Sequence, residues 1–468
     1  MVMPSMSFSK RYSDLRTRFQ GSRLFQAAAW STFALVLGQI IRICGNLIMT
    51  RLLAPEMFGV MSMVLVIQIM LALFSDIGVN TVIIQSHRGD DPVLLNTAWS
   101  MESIRGGIIW LICLCAAGGL LLAQQMDWLP EGSAWTASDL PYALAVTTFA
   151  AVISGLQSTN MITASRNLQL EKVAILELMA QVGGLLCMIV IGLLTGSIWA
   201  LVAGALVKSL ITSSVSHVWL PGISNRFGWD WDSFHEIYRS GRWVLLSSVL
   251  FVLASNIDRL LLAGFVSASV LGLYAIALNL ALMINSIGQR LFSDVVLPAL
   301  SEVARDDREG FRKALLRLRY PFDIGFLLAS GLIFATGPVV VELLYDDRYL
   351  DAGFMLQILS ISLVFTRYGI FNMAYVALGH AQLMASVHVV KLVSIFALLL
   401  LLYHMFGFTG ALIAIAIHAA PSVLFMFWAN HFHGLNDFKY EFLVLPVWVI
   451  GYGAGLAGLV ALRMLIPI

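Results

Sequence analysis

The sequence predicts an all-α polytopic membrane protein, organised as two six-helix lobes with about one extra helix at the C-terminus. Three observations predict this. The 468 residues are 59% hydrophobic and only 12% charged, with a mean hydropathy of +0.86. A soluble domain of ordinary composition carries about twice that share of charge. Apolar runs of about 20 residues or more recur along the whole chain, each long enough to cross a hydrocarbon core of ~30 Å. Finally, one pattern occurs twice about half a chain apart: an apolar run bearing an asparagine, a short hinge, and a glycine opening the next run.

Residues 8–24 (FSKRYSDLRTRFQGSRL) are basic and mildly amphipathic, suited to an anionic leaflet surface. They run straight into a full-length apolar run with no cleavage site, so they read as an anchor and not as a removed signal. Spans follow at about 25–48, 58–84, 97–123, 140–163, 173–194 and 197–220. A polar, Trp-rich connector at 221–242 leads to spans at about 243–266, 270–297, 321–345, 353–378, 383–406, 409–430 and 442–467. The organisation is therefore a basic segment at 1–24, an N-lobe at 25–220, the connector at 221–242, a C-lobe at 243–430, and a last connector and helix at 431–468.

The repeat rests on RLLAPEMFG at 51–59 and RLLLAGFVSASVLG at 259–272, preceded by Asn46 and Asn256 and ending on Gly59 and Gly272. Six spans per copy is an even number, so both copies enter from the same side and the repeat is parallel. Pro298, Pro338, Pro421 and Pro446 fall within or near the ends of spans and favour bends.

Lys and Arg gather on one side of the predicted spans, at the N-terminus, at Arg88, Arg166 and Lys172, in the 221–242 and 300–320 connectors and at Lys439. The other side receives Arg51 and Arg348. That asymmetry places the N-terminus in the cytoplasm.

Some intramembrane charges can neutralise each other locally: Glu102 with Arg105, Arg290 with Asp294, and Arg319 with Asp323, at i,i+3 or i,i+4 spacing. A second group has no opposite charge three or four residues away. Its cations are Arg42, Lys208, Arg259, Arg367 and Lys391; its anions are Asp76, Glu177 and Asp258. Each must find a partner on another helix, water or a ligand. With fewer anions than cations, unmatched positive charge facing an internal cavity is expected, and such a cavity suits an anionic group such as phosphate. The three anions are candidates for coupling to an ion gradient, or structural partners.

Several function classes are excluded or disfavoured. No GxxxxGK[ST] motif, HExxH motif or clustered acid pair in an aqueous loop is present, and no connector offers room for an enzymatic domain. No basic, aromatic-interleaved run suggests nucleic acid. Cys44, Cys113, Cys115 and Cys187 all lie in apolar runs and read as small buried hydrophobes. No metal site, cofactor or catalytic residue is expected, and the chain is not read as an enzyme.

Further stretches carry a family resemblance: FSDIGVNTVIIQ at 74–85, SRNLQLEKVAILEL at 165–178, SNIDRLLLAGFVSASVLGLYAIALNL at 255–280, LPALSEVARDDREGFRKALLRLRY at 297–320 and ELLYDDRYLDAGFMLQILSIS at 342–362. In order and spacing, over about residues 25–430, the chain resembles the polysaccharide-export flippases of the multidrug/oligosaccharidyl-lipid/polysaccharide (MOP) superfamily, in the Wzx or WzxC-like branch. The resemblance implies a MATE-like fold of two six-helix lobes around a central cavity and alternating access without ATP hydrolysis. It implies an undecaprenyl-pyrophosphate-linked oligosaccharide as cargo, moved across a bacterial inner membrane for exopolysaccharide, capsule or O-antigen synthesis. Relatives use basic residues on the first, seventh and eighth helices for the pyrophosphate, which by position are Arg42, Arg259 and Arg290 here; Lys208, Arg367 and Lys391 complete the expected cationic set. Membrane lipids and a polysaccharide polymerase or export machinery are the implied partners, and a monomer is expected. A MATE-like cation-coupled exporter of small molecules and a lipid II flippase are the alternatives. Many relatives end in two helices beyond the lobes, and this chain has room for one.

The charge asymmetry makes a direct prediction. Alkaline phosphatase fused within 124–139 should be active, and fused within 221–242 inactive; the reverse pattern would invert the topology.

Overall fold

The structure, a computed structural model, describes residues 23–74, 78–86, 88–167, 169–306 and 310–465. Asp76 and residues 1–22 lie outside that set. The described residues are helical almost throughout and contain no strand. Each span expected from the sequence finds a helical stretch.

The first helix, α1 (Arg23–Leu52), is followed by α2 (Pro55–Phe74). Pro55 stands at the first helical position, where a missing N–H costs nothing. Within the second expected span α2 is described to Phe74, and after Gly78, at φ 68°, the rest of the run forms the short α3 (Val79–Gln85). Next come α4 (Pro92–Gln125) and a broken span of α5 (Leu140–Thr147), α6 (Ala150–Gly155) and α7 (Asn160–Arg166), bent by 61° between α6 and α7. Then α8 (Leu170–Thr195) ends at the left-handed Gly196, and α9 (Trp199–Trp219) follows.

The long α10 (Trp231–Ala263) leads to α11 (Ala268–Leu291), whose first turn is capped by Ser267 Oγ accepting from Val270 N. A π-helical segment, Phe292–Val296, joins it to α12 (Leu297–Asp306). α13 (Phe311–Leu344) runs through Pro321 and Pro338. The tenth span is divided into α14 (Asp351–Leu359), α15 (Ser362–Thr366) and α16 (Gly369–Ala377). α17 (Ala381–Ile417) contains a non-helical break at Gly407, φ 61° and ψ −143°. A Cβ on Gly410 would lie 1.9 Å from Leu402 O, so the chain reverses at Gly407, where the sequence separates its eleventh and twelfth spans. The last helices are α18 (Ala420–Phe432), α19 (Phe438–Val444) and α20 (Pro446–Leu465).

By contact the chain divides into two compact units, Met1–Met49 with Phe74–Gly118 and Tyr142–Leu245, and Thr50–Leu73 with Gly119–Pro141 and Leu246–Ile468.

In the first unit, the start of α4 is covered by the connector that precedes α10. The connector is extended from residue 223 to 230. Its alternate amides donate to side chains on α4: Arg226 N to Asn96 Oδ1 (2.9 Å), Gly228 N to Ser100 Oγ (3.0 Å) and Asp230 N to Thr97 Oγ1 (3.2 Å). Beneath lies a core of Val82, Ile83, Leu94, Leu95, Ala98 and Ile237. Polar residues on one helix face here take the place of a neighbouring strand for the connector's backbone.

In the second unit, the two glycines of the sequence repeat touch each other. A Cβ on Gly59 would lie 1.9 Å from Ala268 O, and one on Gly272 would lie 1.8 Å from Pro55 O. Pro55 and Ala268 each open their helix, and each glycine follows four residues later. The contact is therefore reciprocal, as a local two-fold relation between the repeat copies requires. Residues 346–349 hold the same hinge. Arg348 Nη2 donates to Thr50 O (2.9 Å) and Arg51 O (3.2 Å), capping the end of α1, and Tyr349 OH donates to Leu53 O (2.8 Å). Asp346 fixes the guanidinium, and its carboxyl is held below the ordinary carboxylate range chiefly by that hydrogen bond.

Also in the second unit, α13, α16, α19 and the turn before α16 enclose a four-charge cluster. Arg367 bridges Asp323 (3.2 Å) and Glu441 (2.8 Å), and Arg319 bridges Asp323 (2.8 Å) and Glu441 (2.5 Å). Arg319, Arg367 and Asp323 are at most 1% exposed and Glu441 8%. Tyr368 OH donates to Glu441 Oε2 (2.8 Å), and the Arg319 guanidinium lies 4.9 Å from the Phe371 ring centre and 5.2 Å from that of Tyr440. Glu441 thereby ties the final helices to the unit, and Trp448 Nε1 donating to Ser330 Oγ (3.1 Å) ties α20 to α13.

Two sequence expectations are corrected. Arg367, expected to face a cavity, is fully paired, because Glu441 supplies the acid that local spacing could not reveal. Cys44 and Cys115 are exposed and not buried; at a lipid-facing surface a small apolar thiol costs as little as in a core. The local pairs Glu102–Arg105 (2.8 Å) and Arg319–Asp323 form as expected.

Three outcomes follow. Leucine at Gly59 or Gly272 should abolish recovery of folded protein from detergent extracts, since backbone and not a movable side chain meets the new Cβ. Glu441→Ala should destabilise by about 3–5 kcal/mol, whereas the pair Glu441→Met with Arg367→Met should lose clearly less than the two single losses combined. Strict additivity in thermal unfolding would show that the cluster is not one unit. The Arg348 clasp should be complete above about pH 4 and weaken below it, because the lowered Asp346 carboxyl protonates only there; hydrogen exchange at 50–53 reads this out.

Candidate functional site

The cations expected to form the site fall in both units: Arg42 and Lys208 in the first, Arg259, Arg290, Arg367 and Lys391 in the second. In the first unit α8 lies between α1 and α9. Gln181 Nε2 donates to Gly38 O (2.7 Å), and Leu185, one turn on, fills the space beside Gly45. On its other side α8 presents Gly184, where a Cβ would lie 3.0 Å from Lys208 Cβ. Arg42 sits between Gly38 and Gly45, so Arg42 and Lys208 flank one level of α8, the turn of 181–185. Glu177 lies one turn before Gln181. All three side chains are exposed at the unit's surface. Arg42 hydrogen-bonds Gln39 Oε1, and no ion pair to Arg42 or Lys208 occurs among the described residues. A neutral amide orients a guanidinium and leaves its charge uncompensated, which is the condition for receiving an anion.

The second unit holds the rest. Asp258 is 5% exposed and accepts a hydrogen bond from Tyr274 OH, which the sequence alone did not reveal. Arg259, beside it, is half-buried. Its Nη1 donates to Asn256 Oδ1 (3.4 Å), while its buried Nε has no hydrogen-bond partner. Asn256, singled out as part of the repeat, thus positions a guanidinium, much as Gln39 does for Arg42. Lys391 on α17 is partly buried, and His418 lies within charge–charge reach of both Lys391 and Asp258. His388 lies one turn before Lys391 on the same helix. Arg290 is partly buried at the end of α11. Asp76 lies outside the described residues, as does the side chain of Asp294.

The second unit therefore brings together Asp258, Tyr274, Arg259 and, nearby, Lys391 and His418. Arg367 is set apart in its own cluster. The signal that could have found Glu441 was its place at the start of the last apolar run: an acid five residues before the proline-led helix invites a cation partner.

The described residues, all-helical with repeated membrane-spanning helices, have the fold of transporters of the MOP superfamily. An inward-facing multidrug-resistance MATE transporter of that superfamily superposes with a TM-score of 0.65 at 15% identity, covering 86% of this chain and 97% of the other. The lipid II flippase MurJ, in its inward closed conformation, gives 0.62 at 12% identity, covering 93% and 99%. Within that class the chain belongs to the polysaccharide biosynthesis protein family, whose match runs over residues 48–352. The lipopolysaccharide biosynthesis protein WzxC of Escherichia coli (strain K12) is 22% identical over 325 residues, covering 66% of this chain and 62% of WzxC, so the chain spans less than two thirds of that relative's length. The protein is a multi-pass bacterial membrane protein.

If Asn256 positions Arg259, Asn256→Ala should leave the protein folded, with an unchanged unfolding temperature, while weakening whatever Arg259 binds by less than Arg259→Ala does. Equal losses would make Asn256 part of the binding surface itself.

Proposed function

We propose that the protein is a flippase that moves an undecaprenyl-pyrophosphate-linked oligosaccharide from the cytoplasmic to the periplasmic leaflet of the inner membrane, by alternating access and without hydrolysing ATP. The observation that carries this reading is the level of α8 at which Arg42, oriented by the Gln39 amide, and Lys208 stand exposed without an ion partner among the described residues. A doubly ionised pyrophosphate needs such donors once it leaves water, and each charge-assisted bond contributes about 1.5–3 kcal/mol. The sugars need the polar groups of a protein interior, while a polyprenyl chain can remain in lipid. In the second unit, Arg259, whose Nε has no hydrogen-bond partner among the described residues, is a further candidate donor for an anionic group. Membership of a polysaccharide biosynthesis family supports a glycan cargo over lipid II.

The runner-up is a cation-coupled exporter of small molecules, favoured by the MATE likeness and by Asp258 buried under Tyr274. Under the leading reading, Asp258, Glu177 and Asp76 supply ion coupling or structural pairing.

Depletion of the protein should cause one lipid-linked glycan to accumulate on the inner leaflet. Arg42→Ala, Lys208→Ala and Arg259→Ala should each lower surface polysaccharide about tenfold or more at normal membrane abundance, and Arg42→Lys should restore part of it. No accumulating lipid-linked glycan, together with gradient-driven efflux of a small cationic drug, would establish the runner-up instead.

A further inference from the structure

We infer that the second unit carries a binding pocket for a phosphate-bearing anion, of the kind an anionic phospholipid presents at the membrane surface. The pocket shares no lining residue with the candidate transport site. It is a cavity of about 320 Å³ whose lining includes Phe311 and Arg312 at the start of α13, His380 after α16, and His433 and Leu435 after α18. That volume is within the usual range of small-molecule sites, about 300–1,000 Å³.

The same local structure builds both histidine walls. α16 ends with Gly379 at φ 81°, its N–H bonding Val376 O (3.0 Å) while His380 N bonds Tyr375 O (2.7 Å). α18 ends with Gly434 at φ 64°, its N–H bonding Val376's counterpart His431 O (3.3 Å) while Leu435 N bonds Asn430 O (3.0 Å). Each is a left-handed glycine cap of the Schellman type, in which the last carbonyls are already engaged. The walls therefore present imidazole rings and not open carbonyls. The two rings stand 4.8 Å apart between centroids, with no hydrogen bond to either among the described residues.

Arg312 supplies fixed positive charge. Its Nη2 donates to Asn436 O (2.8 Å), which holds the guanidinium at the pocket. The nearby acid is Asp437, 3.7 Å from Arg312, and its Oδ1 already accepts from Tyr440 N (3.1 Å) as the cap of α19. That oxygen is committed to a helix N-terminus, and the other, Oδ2, faces Arg312 at 3.7 Å and part-balances its charge, so the remaining donor capacity is that of one guanidinium and two imidazoles. A cation would meet the Arg312 guanidinium beside the one nearby carboxylate; a phosphate would find a planar fork and ring N–H groups.

The setting favours a lipid as the source of that phosphate. The pocket lies where α13 enters its membrane span and α18 leaves its own. Lys313 and Arg317 are exposed on the same turns of α13, and Phe432 (68%), Phe438 (56%) and Phe442 (73%) expose large apolar surface nearby in the chain. Basic pockets between membrane helices, with apolar surface alongside, suit anionic headgroups and their chains.

The test uses the full-length protein and the double variant Arg312→Gln with His433→Ala. Each is reconstituted in mixed phosphatidylglycerol and phosphatidylcholine and extracted, and its retained lipid is counted by native mass spectrometry. The wild type should retain phosphatidylglycerol over phosphatidylcholine, and the double variant should lose about tenfold of that preference at an unchanged unfolding temperature. Titration with inorganic phosphate forms the second arm. Saturable phosphate binding by the wild type and not the variant, without lipid preference, keeps the anion pocket and makes its ligand a soluble phosphate. Equal retention of both lipids with no phosphate binding, or an undiminished preference in the variant, overturns the inference. None of these residues serves the proposed flippase site, so the outcome is independent of that reading.

Discussion

A charge placed among membrane helices must meet a counter-charge, water or a ligand, and that constraint sorts the polar residues of this protein. Arg319, Arg367, Asp323 and Glu441 balance one another in charge, two cations against two anions, with Tyr368 bonded to the Glu441 carboxylate. They tie α13, α16 and α19 together and leave nothing over for cargo. Arg42, Lys208 and Arg259 do not close in this way. Amides hold Arg42 and Arg259, through Gln39 and Asn256, and an amide orients without neutralising. The contrast separates charges that build the protein from charges available for transport.

Backbone approach is the second constraint. Without a hydrophobic drive between helices in lipid, tight packing needs small residues. The reciprocal contact of Gly59 and Gly272 brings the starts of α2 and α11 closer than any side chain would permit. Arg348 and Tyr349 then fasten the end of α1 and the loop just before α2 through the carbonyls of Thr50 and Leu53. The hinge noticed first as a motif is thus a packed junction held from two sides.

Much of the fold was legible in the sequence, because in a bilayer every backbone polar group must be satisfied within its own helix. Apolar length alone therefore marks each span, and glycine marks the reversal at Gly407. The repeat was legible from Asn46, Gly59, Asn256 and Gly272, and the structure adds that its glycines meet. The left-handed Gly78 within the second span was not legible, since glycine inside an apolar run is ordinary in membrane helices. For the site, i,i+3 and i,i+4 spacing found the local pairs, but spacing cannot see across helices. Arg367 and Asp323 are 44 residues apart, and Arg367 and Glu441 are 74 apart.

The sequence by itself determined the class of protein, its spans and the set of charged residues that need explaining, because hydropathy and helical period act over one turn to one span. The tertiary structure decided which of those charges neutralise each other, that Tyr274 covers Asp258, and that Arg42 and Lys208 flank the same level of α8. Those outcomes depend on which helix faces which, and that is set by packing between segments far apart in the chain.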